Sequence, residues 1–357
     1  GYTSAPTVGI TGGGGTGASA SAFLTGFPNP HVPTPVFLDG YIFLPKGSDL
    51  WNSYLDDPLR WDPSNFITAE MYPDPVKAIS RQNNQILAFG EYSTEFFYDA
   101  ANATGSPLAR NDSVTFQIGV ASPYAVSENE RKTLWVAQSK TGGRSVWELD
   151  GFQAKRVSDE HVDRVLELEA NATAIRGYGI RTKGHFMYLV NLPSNNRTLV
   201  YDPEEKLWSE WSTWNGSAHT VFRCNALADD NTGKAVLQDK STGTLYRLDP
   251  LTYTDAGSTI RTQVTTIKFD ADSLNRKFLR GLDIVGDVTA SSQTISVRWS
   301  DDDYTTWITP RVIDIGTEAQ GILQGGVFRR RAFDVWHDGN SDLRLEGLEL
   351  SYTVGSH

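Results

Sequence analysis

Short runs of alternating apolar residues, separated by Gly, Pro, Asn and Asp, recur along almost the whole chain, and long helical periodicity is nearly absent. That pattern predicts an all-β protein. Within it one unit repeats: an apolar strand, a polar hairpin turn, and a second, aromatic strand that ends in Asp. Residues 41–44 turn through 45–47 into 50–54, ending near Asp56. Residues 86–90 lead into 95–98 and Asp99, and residues 134–137 turn through 141–143 into 146–149 and Asp150. Residues 186–190 turn through 194–196 into 199–201 and Asp202, and residues 235–237 turn through 241–243 into 245–248 and Asp249. The closing aspartates recur every 43 to 52 residues, the period of a propeller blade. A lone hairpin cannot bury both faces, whereas stacked blades bury them against their neighbours. An ordinary sandwich of similar hairpins is the alternative.

Three segments follow from the rhythm. Residues 1–35 are Gly/Pro-rich, and the stretch 11–21, TGGGGTGASAS, is too rich in Gly for core packing; it reads as a flexible inserted loop. Residues 36–257 carry the repeats and predict a β-propeller of about five to six blades. Residues 258–357 read as a separate C-terminal antiparallel β-domain, with strands at 262–269, 278–285, 294–299, 332–336 and 343–353. One helix is expected at residues 158–170, with Ser158 as N-cap, Asp159 and Glu160 in the first turn, and Val162, Val165 and Leu166 on one apolar face. Gly1 opens inside what reads as a strand-turn motif, so the true N-terminus is expected to lie upstream.

Composition narrows the function classes. Ten Trp and 11% aromatic residues suit large sheets. A formal charge of −11 argues against a DNA-coating protein, which needs clustered Lys and Arg, although it suits a wall past which DNA slides. A single cysteine, Cys224, excludes an intramolecular disulfide framework and a Cys-based zinc cluster. The sequence has neither an apolar run of membrane-spanning length nor a charged-then-apolar leader, so a soluble chain is expected. Asn-x-Ser/Thr triplets at Asn102, Asn111, Asn171, Asn196 and Asn215 read as chance in a chain this rich in Asn, Ser and Thr.

Few motifs carry chemistry. Gly12 to Ser19 has Walker A spacing, but Ala18 stands where the phosphate-binding Lys belongs, so no nucleotide site is expected. Residues 300–307, SDDDYTTW, approach the Asp-box S-x-D-x-G-x-T-W through Ser300, Asp302, Thr306 and Trp307, with Tyr304 in place of Gly. Such a box is a structural hairpin turn in which Asp302 accepts backbone N–H groups and Trp307 packs beneath. Asp301 to Asp303 lack the ligand spacing of a calcium loop. His31, His161, His185, His219, His337 and His357 show no metal-ligand spacing, and no nucleophile elbow is present. No cofactor, metal or catalytic residue is therefore expected, although glycosidase carboxylates cannot be told from turn aspartates by sequence alone. Arg329, Arg330 and Arg331 form a basic run; in a strand its outer two members share a face, offering an interface salt bridge or a phosphate contact.

Six stretches, in order and spacing, resemble the tail-hub or nozzle (packaged-DNA stabilisation) family of short-tailed bacteriophages. They are 37–41, FLDGY; 61–66, WDPSNF, with 68–70; 89–95, FGEYSTE; 119–126, GVASPYAV; 150–152 with 156–158; and 249–255, DPLTYTD. The later WSDDDYTTW and RRRAF stretches are similar to that family's closing β-domain. The chain departs from the family by its Gly-rich insertion and by lacking the usual upstream region. The resemblance implies a non-enzymatic virion protein: a closed homo-oligomeric ring, expected to be sixfold, below the portal and adaptor. That ring would continue the DNA channel, help retain packaged double-stranded DNA, and contact tail fibre or spike and needle proteins. Localisation in the virion tail after assembly in the host cytoplasm follows from the same resemblance. The alternative class is a carbohydrate-binding or glycoside-hydrolase propeller, motivated by the Asp-box and the aromatic content.

Overall fold

The structure, a computed structural model, describes residues 26–129, 132–182, 184–229, 234–287, 293–316 and 321–355. The Gly-rich stretch and the Walker-like loop lie outside the described residues, as does His357. The chain divides into two compact units, one made of Gly1–Ser212 and Val221–Leu248, the other of Thr213–Thr220 and Asp249–His357. The C-terminal unit thus begins ahead of residue 258 and includes a hairpin from the middle of the repeat region.

The first unit is a succession of antiparallel sheets in chain order. The first sheet joins Val36–Leu38, Tyr41–Lys46, Asp49–Tyr54 and Asp57–Thr68. The second joins Ala78–Gln82, Gln85–Phe89, Thr94–Asp99 and Leu108–Phe116. In the third, Val126–Asn129, Lys132–Ser139, Gly143–Asp150 and Gln153–Arg156 are joined by Gly119–Val120, which pairs with Lys132–Ser139. The fourth joins Arg176–Thr182, His185–Leu192, Arg197–Asp202 and Leu207–Glu210, and the fifth joins Cys224–Asp229, Ala235–Asp239 and Leu245–Arg247. Each predicted hairpin falls in its own sheet as two adjacent strands. In the four-stranded meanders these are the central pair, and the flanking strands, more polar and irregular, gave weaker signals.

Burial shows why the central strands read as continuous apolar runs. Along Gln85–Phe89, Ile86 and Ala88 pack with the first sheet while Leu87 and Phe89 pack with the third. Trp135 and Ala137 share a core with the second sheet, and Leu134 and Val136 with the fourth. Tyr188, Val190 and Leu192 join the third sheet, and Leu189 and Val200 join Cys224, Ala235 and Leu237 of the fifth. A strand covered on both faces loses the apolar-polar alternation of a half-exposed one. This face-to-face stacking is what the repeat accomplishes.

Turn chemistry fixes the registers. Leu38 pairs with Tyr41 across Asp39 and Gly40, both at positive φ (47° and 85°), the conformation a two-residue hairpin requires and Gly best tolerates. Asp99, Asp202 and Asp249 each accept the N–H two residues ahead, from Ala101, Glu204 and Leu251, at 2.7, 2.9 and 3.0 Å. In these three repeats the closing Asp is thus an Asx-turn former, whereas Asp150 ends its strand opposite Gln153. Asp56 instead occupies a hairpin loop at φ 53°.

The helix, α1, spans Glu160–Glu167, shorter than expected, with Val162, Val165 and Leu166 buried. Its N-cap is Asp159, whose carboxylate accepts Val162 N–H at 2.8 Å. Ser158, expected in that role, accepts Val146 N–H at 3.0 Å and donates to Asp163 at 2.5 Å, tying α1 to the third sheet.

Among the described residues the C-terminal unit has two short two-stranded sheets, Ser212–Trp214 with His219–Val221 and Thr254–Asp255 with Ser258–Thr259, and two larger antiparallel sheets around one core. One has the order Thr262–Thr265, Ala332–His337, Thr294–Ser300, Arg311–Asp314; the other has Gly321–Phe328, Lys277–Gly286, Leu345–Val354. Leu279, Leu282 and Ile284 meet Val297, Trp299, Phe333 and Val335 between them. The five expected strands are present. Arg311–Asp314 and Gly321–Phe328, which carry Gly and charged residues in place of a clean alternation, were not foreseen.

Candidate functional site

The stretches that carry the family resemblance prove to be fasteners. Residues 89–95 turn between two strands of the second sheet. There Asp74 accepts Tyr92 N–H at 2.8 Å and the Ser93 hydroxyl at 2.7 Å, and Thr94 Oγ1 donates to the Ile118 carbonyl at 2.6 Å. Glu95 is buried, accepts Met71 N–H at 3.0 Å and lies 3.7 Å from the Arg110 guanidinium. Burial pushes its carboxyl above the ordinary value, against the N–H bonds and Arg110.

Residues 119–126 bind three parts of the unit together. The Gly119 carbonyl accepts Trp135 Nε1–H at 3.2 Å, Ser122 Oγ donates to the Thr173 carbonyl at 3.1 Å, and the Ala125 carbonyl accepts the Tyr188 hydroxyl at 2.7 Å. Within 61–66, Asp62 accepts the Ser64 N–H and hydroxyl at 2.9 and 2.6 Å, and Phe66 stacks on Trp51 at 5.2 Å between centroids. Arg156 pairs with Asp163 of α1, and the Val157 carbonyl accepts Trp208 Nε1–H at 3.1 Å. Asp62, Asp74 and Glu95 are thus each engaged by N–H or hydroxyl donors of the turns they fasten, and Glu95 and Asp163 by a guanidinium.

In the C-terminal unit the Asp-box-like turn and the basic run come together. Asp302 accepts Thr306 N–H at 2.9 Å and the Thr306 and Ser300 hydroxyls at 2.6 and 2.8 Å. The Thr306 hydroxyl, then its N–H, then the Ser300 hydroxyl hold the Asp302 carboxyl down to about 2. Tyr304, where the motif has Gly, adopts φ 68°. Trp307 is half-buried against the Arg298 guanidinium, 5.0 Å from its ring, and beside Tyr304; the buried tryptophan of this segment is Trp299.

Arg329 and Arg330 lie in a bend, not a strand, and are exposed. Arg331 is 1% exposed, gripped by both Asp301 oxygens at 2.7 and 2.8 Å and donating to the Gly325 carbonyl at 2.6 Å, with Trp299 and Phe328 on its guanidinium. It is a core residue and unavailable to phosphate. Arg330 lies 3.6 Å from Asp303, which also pairs with Lys268 at 2.9 Å. Sequence reasoning treated the two motifs separately; the charge complementarity of DDD and RRR was the signal that joins them.

Among the described residues no group of three or more His, Cys, Asp or Glu is placed to hold a metal ion, and no helix is long and apolar enough to cross a membrane. One cleft opens in the first unit between the Asn83-Asn84 turn and the Gly151-Phe152 turn; Asp99 is the sole carboxylate among its described lining. Hydrolysis of a glycoside by paired carboxylates therefore has no counterpart there.

Comparison with known proteins adds a family. The model described as Bacteriophage P22 Gp10, beta-propeller matches residues 27–253. No curated protein matches. Among solved structures, an exo-beta-1,3-galactanase from Phanerochaete chrysosporium is 8% identical at a TM-score of 0.31, covering 92% of this chain and 84% of that one. The extracellular domain of a one component system from B. thetaiotaomicron is 9% identical at 0.37, over 63% and 28% of the two chains. A puromycin-hydrolyzing peptidase from Mycobacterium tuberculosis is 12% identical at 0.32, over 60% and 37%. These structural likenesses are too distant to assign an activity.

Proposed function

The chain belongs to the phage stabilisation family of Bacteriophage P22 Gp10 β-propellers, and from that premise we propose that it is a structural virion protein, the tail hub or nozzle below the portal and adaptor. In this reading, copies close into a ring, sixfold in expectation, that continues the DNA channel and helps retain the packaged genome. Tail fibre or spike and needle proteins are its further partners. Its place is the virion tail, reached by assembly in the host cytoplasm.

The observation that carries the reading is the coincidence of the family match, residues 27–253, with the run of stacked sheets whose shared motifs are mechanical fasteners. A ring under a portal needs stiffness more than chemistry. A head-to-tail interface closes when its rotation divides a full circle, so each copy uses two different surfaces. A charge of −11 per copy favours a weakly adhesive channel, because each Lys or Arg on DNA phosphate would add a salt-dependent grip opposing passage. Enclosure of Arg331 leaves Arg329 and Arg330 as the members of the basic run that could meet a partner.

Electron microscopy of the purified chain at micromolar concentration tests this: class averages should show rings with a central opening. Particles of a single chain that also turn over a glycan, with turnover lost on mutating one carboxylate, would overturn it in favour of a carbohydrate-active propeller.

A further inference from the structure

We propose that the cleft between the second and third sheets is a binding site for a neutral pyranose, independent of the ring-forming role. The open cleft has a volume of about 420 Å³, within the range of small-ligand sites and enough for one or two sugar rings. Its walls are fixed. Gln82 Nε2 donates to the Gly151 carbonyl at 3.3 Å and its Oε1 accepts the Thr133 hydroxyl at 3.4 Å, which joins the two turns. Arg81, outside the cleft, pins the neighbouring turn by donating to the carbonyls of Asn83 at 3.1 Å and Phe37 at 3.2 Å.

The chemistry of the lining selects the ligand. Asn83, Asn84 and Gln85 line the cleft in succession; a carboxamide carries both donor and acceptor, the pairing that sugar hydroxyls offer in return, although Asn84 Nδ2 also reaches Asp39 at 3.5 Å and Gln85 Oε1 is buried. Tyr98 and Phe152 line the same cleft with 43% and 44% of their surface exposed, and Phe152 is propped by Phe96 at 5.8 Å between centroids. Such rings cover the C–H face of a pyranose while the amides take its hydroxyls. The described lining holds no Lys, Arg or His to recognise a phosphate or carboxylate by charge. Asp99 is its lone carboxylate, and one of its oxygens already accepts Ala101 N–H at 2.7 Å. Binding without hydrolysis is expected, because the cleft's described lining lacks the carboxylate pair that most glycosidases use. An open cleft with few anchors implies a dissociation constant of about 1 mM.

Saturation-transfer NMR on the full chain tests this, with glucose, galactose, N-acetylglucosamine, lactose and cellobiose as neutral probes and glucuronate as the anionic one. Transfer to the ring protons of at least one neutral sugar is expected, falling about tenfold in both Phe152→Ala and Asn84→Ala, each scored on protein shown by its thermal unfolding transition to be folded at the assay temperature. Absence of transfer to every neutral sugar, transfer retained in both variants, or glucuronate as strong as its neutral counterpart would each overturn the proposal. Ring formation is scored in the same samples, so loss of this site leaves the tail-hub reading standing.

Discussion

Asp301 grips Arg331 through two parallel hydrogen bonds of 2.7 and 2.8 Å, joining two charged runs that lie 30 residues apart in the sequence. The guanidinium is enclosed between Trp299 and Phe328, whereas Asp301 keeps about 41% of its side chain in water. Arg331 therefore holds the Asp-box-like turn against the core of the C-terminal unit.

Removing one partner strands the other. Asp301→Ala leaves Arg331 buried with only the Gly325 carbonyl, and we expect it to cost about 2 to 3 kcal/mol, the range for a buried charge losing its hydrogen-bonded partner. Arg331→Lys should also lose stability, because an ammonium cannot reproduce the fork geometry. Denaturant titration of both variants checks this; an Asp301→Ala protein with the wild-type midpoint contradicts it.

Asp302 predicts an acid dependence. Its carboxyl is depressed to about 2 by Thr306 and Ser300, so its contribution is present above the unfolded value near 3.9 and is lost as the pH falls through 2. Asp302→Ala should lower the melting temperature at pH 7 and narrow the difference from wild type toward pH 2. Its function in any binding assay should be unchanged. A melting temperature identical to wild type at pH 7 removes the turn-fixing role.

Tyr188 predicts an alkaline dependence. Its hydroxyl reaches the Ala125 carbonyl at 2.7 Å, linking the fourth sheet to the 119–126 stretch, and its phenol is fully buried. Burial raises the pKa of Tyr188 and of Tyr178. Stability should therefore be intact below about 10, the unfolded value, and fall as the pH rises beyond it. Tyr188→Phe should cost about 1 kcal/mol at pH 7 and flatten the alkaline decline. Gly177 abuts the Tyr188 ring so closely that an added Cβ would overlap the hydroxyl. Gly177→Ala should then cost more, about 1 to 3 kcal/mol, and Tyr188→Phe should relieve part of that cost in the double variant. Strict additivity would refute the contact.

The middle strands were legible because both of their faces are buried, as Ile86 to Phe89 and Leu134 to Ala137 show. The flanking strands were not, since Asp57–Thr68 and Leu108–Phe116 both carry bulges and polar residues, and the former two prolines, that break any period. The α1 cap lies one position later than expected because Ser158 and Asp159 are both good caps, and a tertiary bond from Val146 together with a local one to Asp163 claims the serine. Arg331 was open to an interface salt bridge or a phosphate contact because complementary charge alone does not fix that the Asp-rich turn 30 residues upstream folds onto it. The cleft was illegible, being assembled from turns of two sheets that are remote in sequence.

The tail-hub reading stands or falls on assembly. Mass measurement of the purified chain in solution should give a closed species at a small integer multiple of the 39.4 kDa chain, six copies in expectation, with no tight binding of duplex DNA at low salt. A particle of one or two copies at every concentration, with or without portal and adaptor proteins, would contradict the account.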